Sequence, residues 1–205
     1  ADGKPSFVAC LPPVESVTRM PPVMTSRPLL FTTLLMTLSS CGSSIGDSCG
    51  QSSDCSPDGD RLCDISSSGG YCTVEGCDFD TCPDEAICVR FFPVTQLTMP
   101  TMPCTTDTEC AFDEICVFGG KCAPRSTERR FCMLTCASHG DCRGGYECRD
   151  LKRMAAHGGM PVSAPDVNVS ADPPEFCAAA KPCTKPEDCD LGDVCDLASR
   201  LCERP

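Results

Sequence analysis

The cysteine ladder between Cys49 and Cys202 constrains this chain more than any other feature. The sequence holds 22 cysteines in 205 residues, above the roughly 8–10% level that marks a disulfide scaffold. Cysteines this dense point to bridges and to an oxidising compartment, because cytosolic thiols are kept reduced. Nine Phe, two Tyr and no Trp cannot fill one large core for such a chain, so stability has to come from several small stapled modules. The fold class expected is small and disulfide-rich: tandem modules of short β-hairpins and loops, with little helix apart from an export segment.

Cys10 and Cys41 stand apart from the ladder, and twenty cysteines follow, an even number that allows ten bridges. Within them a unit repeats. Cys104, Cys110, Cys116 and Cys122 read C-x5-C-x5-C-x5-C, and Cys183, Cys189, Cys195 and Cys202 read the same with one more residue in the last gap. Cys49, Cys55, Cys63 and Cys72 form a looser third copy. An acid precedes the second cysteine each time: Asp54, Glu109 and Asp188. An apolar residue precedes the third: Leu62, Ile115 and Val194. The tight gaps leave room only for short strands, with Gly69-Gly70 and Gly119-Gly120 as hairpin turns.

Between these copies lies a second kind of unit, Cys77, Cys82 and Cys88 in one place and Cys132, Cys136, Cys142, Cys148 and Cys177 in another. Val89, Phe91 and the Tyr146–Leu151 segment alternate like strands. Both cysteine counts are odd, so either one bridge crosses between blocks or two thiols stay free. Pairing does not follow from spacing; first-to-third and second-to-fourth is the order expected within the four-cysteine units, with other orders open.

The four-cysteine unit, with its acid–cysteine step, is similar to the repeats of Dickkopf-like and EB-type extracellular modules. It also resembles the tandem repeats of cysteine-rich lipoproteins in myxobacteria and their relatives. The likeness covers more than half of the chain. A second likeness lies upstream. Arg27 heads an apolar run from Pro28 to Leu38, followed by Leu38-Ser39-Ser40-Cys41 and then Gly42-Ser43-Ser44. A short basic region, a short apolar region and small residues make a secretory signal, and the run is about half of the roughly 20 residues that span a bilayer. The stretch resembles a bacterial lipoprotein signal. That resemblance implies cleavage before Cys41, lipid on its thiol and an acyl group on its new amine. Gly42 in the next position implies, on the same likeness, the outer membrane or cell surface.

The domain reading follows. Residues 1–23 are an upstream extension without a fold, 24–40 a lipoprotein signal peptide and 41–48 a lipidated Gly/Ser tether. Residues 49–103 form a cysteine-rich module pair and 104–177 a second pair carrying a flexible loop insertion at 152–174. Residues 183–202 form the last four-cysteine module. The insertion is rich in Pro and Gly, and a structureless loop of that length is functional or disordered.

Charge narrows the partners. Residues 1–40 contain two of the 29 acids and three of the 17 bases, which leaves 27 against 14, or −13, for the remainder. Such a chain repels nucleic acid. The partners expected are a membrane, through the lipid anchor, and an unidentified protein or glycan, with the chain monomeric.

The residues hold little catalytic chemistry. Structural zinc sites favour closely spaced cysteine pairs; the sequence has no C-x2-C, and its C-x3-C, Cys132 to Cys136, lacks a matching pair. His139 and His157 read as exposed loop histidines, with no nucleophile motif beside them. Acid clusters at Asp54–Asp64, Asp107–Glu114 and Glu187–Asp193 could in principle gather calcium oxygens, but the acid before each second cysteine can equally bond turn amides. Asn168-Val169-Ser170 fits a glycosylation sequon, which carries no weight beside a bacterial-type leader. No cofactor, metal site or catalytic residue is expected. The function expected is a lipid-anchored cell-envelope protein with a non-catalytic binding or structural role. The alternative is a protease inhibitor that presents Lys152-Arg153-Met154 as bait from the insertion.

Overall fold

The computed structural model describes residues 43–164, 172–189, 192–198 and 200–203. Cys41, its leader and the sequon lie outside them. The described part is built of short antiparallel strand pairs held by ten disulfides. Among the described residues, helix is limited to a single turn, α1 (Ser52–Cys55), and to α2 (Leu151–His157), apart from short 3₁₀ turns.

Strands β1 (Leu62–Cys63) and β2 (Cys72–Thr73) pair, as do β4 (Glu114–Val117) with β5 (Lys121–Pro124), and β10 (Val194–Asp196) with β11 (Leu201–Glu203). A three-stranded sheet sets β3 (Ala86–Phe91) between β6 (Arg129–Leu134) and β8 (Met160–Pro161). The last pair is β7 (Tyr146–Arg149) with β9 (Phe176–Ala179).

One relation recurs in all five sheets. The third and fourth cysteines of a unit face each other across the hairpin: Cys63 with Cys72, Cys88 with Cys132, Cys116 with Cys122, Cys148 with Cys177, and Cys195 with Cys202. Each reaches back to the turn before the hairpin. The first cysteine joins the third in bridges 49–63, 77–88, 104–116, 136–148 and 183–195. The second joins the fourth in 55–72, 82–132, 110–122, 142–177 and 189–202.

The two apparent unit types are therefore one. The unit that begins at Cys77 takes its fourth cysteine, Cys132, from beyond the whole 104–122 unit, which is inserted into its hairpin. The unit that begins at Cys136 is opened in the same place by residues 150–175. The odd counts resolve as a bridge that crosses between blocks, Cys82–Cys132, and no cysteine from 49 to 202 is left as a thiol.

The units are not isolated beads. One core joins Ile45, Tyr71, Val89, Tyr146, Met154 and Phe176, drawn from three units and both insertions' flanks. Tyr71 stacks on Tyr146 with ring centroids 5.3 Å apart, and Phe91 meets Phe176 edge-on at 6.1 Å. Aromatic pairs of this kind add about 0.5–1.5 kcal/mol beyond their burial. The Tyr71 hydroxyl donates to the Cys177 carbonyl and accepts from the Leu134 amide at 3.0 Å. Burial holds its pKa above the usual tyrosine range.

Two expectations are corrected here. The described part of the tether, 43–48, is docked: Ile45 is 1% exposed and Gly46 N–H donates to the Cys72 carbonyl at 2.9 Å. An apolar side chain near a stapled hairpin gains more by burial than the Gly/Ser flank gains by freedom. The first part of the 152–174 insertion is likewise ordered. Asp150 caps α2 by accepting from Arg153 N–H at 2.8 Å, and Gly158 ends it at φ +84°. Met154 and Met160 are buried, and β8 adds to the edge of β3. Gly159 marks how closely this segment packs: a Cβ there would meet the Phe176 ring at 2.6 Å. Residues 165–171 lie outside the described part.

Candidate functional site: a cation-lined cleft over a buried ion cluster

The acid before each second cysteine has a local task. Asp54 accepts from the Gly50 and Gln51 amides at 2.8 and 3.1 Å, and Asp188 from Thr184 and Lys185 at 2.8 and 3.2 Å. Glu109 does the same with Thr105 and Thr106. Asp141, before Cys142, accepts from Ala137 and Ser138 at 2.9 and 2.7 Å. Those backbone bonds hold all four carboxyls below the ordinary carboxylate range. In the unit at Cys77 a hydroxyl takes over: Thr81 Oγ1 accepts from Asp78 N–H at 2.8 Å. These groups shape the turn that carries the second cysteine, which answers the question of what the acids are for without invoking a cation.

The residue before the third cysteine behaves differently in one unit. It is Leu62, Ile87, Ile115 and Val194 in four of them and Glu147 in the unit at Cys136. Glu147 is fully buried. Arg149 Nε donates to it at 2.9 Å, Arg153 Nη1 donates to its other oxygen, and His157 Nδ1 lies 2.6 Å away. Burial pushes its pKa up, but the hydrogen bond to His157 and the charge of Arg149 prevail and hold it low. Arg149 also donates to the carbonyls of His157, Gly158 and Ala179 at 2.9–3.1 Å. Arg153 reaches into the last unit, where it holds both oxygens of Asp193.

Above this cluster opens a cleft of 410 Å³. Its walls come from the end of β3, the 93–97 turn, the β4–β5 hairpin, α2 and the strand end at 179–182. Phe91, Phe92, Leu97, Val117, Phe118 and Met154 make it apolar. Its charged lining is all basic: Arg90, Lys121, Arg149 and Lys181, with His157 and no Asp or Glu among the described residues. The size falls within the roughly 300–1,000 Å³ of small-molecule sites, which pair apolar walls with a few fixed polar groups.

All twenty candidate bridging cysteines are paired, and the cysteine triplets close enough to hold a metal are parts of these bridges. The histidine reading needs correction. His157 is not an exposed loop residue, since its side chain is 6% exposed and bonded to Glu147. Of the bait tripeptide, Lys152 is exposed, whereas Arg153 has a side chain 7% exposed and committed to two carboxylates, and Met154 is buried. Sequence reasoning missed Glu147, Arg149 and Arg90. For Glu147 the signal was present, an acid where every other unit has an apolar residue.

Among the described residues no helix is long and apolar enough to cross a membrane. The chain matches no family model, no curated protein and no solved structure.

Proposed function

We propose that this chain is an exported, lipid-anchored protein of the cell envelope or surface, a string of disulfide-stapled hairpins with a binding or structural role and no catalytic one. The observation that carries the reading is that every cysteine from Cys49 to Cys202 is bridged. Ten bridges in small hairpins need an oxidising compartment to form and persist. The anchor is the part proposed from the resemblance of Leu38-Ser39-Ser40-Cys41 to a lipobox. A non-catalytic role is supported by the Glu147–His157 contact, which Arg149 and Arg153 close over; the cluster reads as a structural joint between units.

Intact-mass analysis of the native product, purified with detergent from membranes, tests this reading. It predicts a chain that starts at acylated Cys41 and carries ten bridges. An unacylated chain with its leader intact, or one with free thiols, contradicts it.

A further inference from the structure

We propose that the cleft between the β4–β5 hairpin and α2 binds an aliphatic carboxylate, with its chain along the Phe92–Leu97–Phe118 wall and its head group at Arg90. This rests on the binding side of the proposed function and names the ligand class.

Charge complementarity is the first support. In a segment of net charge −13, a cleft whose charged lining is basic, with Arg149 already paired to Glu147 beneath it and with Arg90 and Lys121 along its walls, departs from the acidic surface around it. Such a site favours an anion and disfavours a cation. The apolar walls exclude a small hydrated anion as the best fit, because a phosphate or sulfate would leave the aromatic surface uncovered.

Arg90 is the second. Its strand neighbours in register are Arg130 on one side and Met160 on the other. A like charge directly opposite in a sheet is unfavourable. Arg130 is neutralised by Glu128 and by Asp78. Arg90 has no such contact: no carboxylate among the described residues lies within ion-pair distance, Glu128 and Asp107 act on it only from farther off, and its buried Nε–H meets no acceptor there. Burial draws its pKa down, and the charge of Glu128 nearby offsets only part of that. Arg149, by contrast, is already saturated by Glu147 and three carbonyls. A guanidinium short of one acceptor at the side of an apolar cleft suits a carboxylate, which can take two of its N–H groups at once. Lys121 adds a second cation on the hairpin wall.

The test uses the purified, fully oxidised protein and a fluorescent dansyl-undecanoate probe, displaced in turn by laurate, lauryl alcohol and dodecyltrimethylammonium. These share a chain and differ in head charge. The expected order is laurate tightest, the alcohol weaker by about tenfold, and the ammonium without displacement. Arg90→Gln should bring laurate to the level of the alcohol and leave the alcohol unchanged. Lys121→Glu, at a half-buried position of β5, should weaken laurate in the same sense. No displacement by laurate, equal affinity for all three, or unchanged discrimination in both variants overturns the proposal. The anchor and bridges are read separately by mass, so a failure here with those intact leaves the broader reading standing.

Discussion

Arg153, in the helix inserted into the fourth unit, grips both carboxylate oxygens of Asp193 in the fifth, at 2.6 and 2.7 Å, while its other amine holds Glu147. Their side chains are 7%, 2% and 0% exposed, respectively for Arg153, Asp193 and Glu147. Removing one member of a buried ion pair costs about 3–5 kcal/mol because the other charge stays buried. Arg153→Ala should lower stability by an amount of that order and loosen the 183–202 unit while its own two bridges remain. Hydrogen exchange of residues 183–203 is the measurement. Unchanged protection would mean that the last unit docks by other contacts.

Acid should unfold the protein through identifiable carboxyls. Asp54, Glu109, Asp141, Asp188 and Glu147 all titrate below their ordinary values when folded. Groups depressed in this way contribute stability that is fully present above their unfolded pKa, about 4, and is lost as pH falls through the folded values beneath it. Tm should be flat from neutral pH to about 5 and decline below about 4. Glu147 faces Arg149, Arg153 and His157, with Asp193 beyond Arg153, so Glu147→Gln should lower Tm at neutral pH and make the acid decline shallower. A Tm that rises on acidification contradicts the assignment.

Trypsin offers a quick check of the inserted segment. Arg153 is buried within α2, and cleavage requires local opening. The oxidised protein should resist cutting after Arg153 and become susceptible once Cys142–Cys177 is reduced. Rapid cleavage there in the oxidised state would restore the exposed-loop reading.

How much of this was legible in the chain follows from the range of each signal. The hairpins are local, and the C-x5-C-x5-C spacing with its acid-capped turn carries them; the first-to-third, second-to-fourth order is one that spacing leaves open and that the ten bridges follow. The fourth unit was legible too. Cys136, Cys142 and Cys148 keep the strict spacing, and Asp141 stands in the acid position. Grouping Cys132 with them hid the match, because a fourth cysteine displaced by an insertion leaves no local trace. The helix at 151–157 has both its caps in the sequence, Asp150 before and Gly158 after, although Pro and Gly farther along dominate the composition. What spacing could not reveal were contacts between distant residues: Cys88 opposite Cys132, Tyr71 on Tyr146, and Arg153 with Asp193. The same limit applies to the cleft, whose walls come from four separate stretches of chain.

The nested arrangement also makes a statement about folding energetics. Cys82–Cys132 closes a span of 50 residues that contains a complete stapled unit. Replacing both cysteines by Ser should cost roughly 2–5 kcal/mol, as expected for a native bridge in a small domain. The 104–116 and 110–122 bridges should still form, since both close within 12 residues. A denaturant titration reads the loss, and a thiol count reads the surviving bridges; loss of the inner bridges as well would mean that the inserted unit depends on its host.

The central claim is that five copies of one four-cysteine hairpin build this chain, two of them opened between the third and fourth cysteines. Peptide mapping of the native protein without reduction tests it most directly. The account predicts a linked pair of peptides carrying Cys82 with Cys132 and another carrying Cys142 with Cys177, with no alkylated cysteine from 49 to 202. Cys82 or Cys132 recovered as a free thiol, or either one bridged to a cysteine of the 104–122 unit, would contradict it.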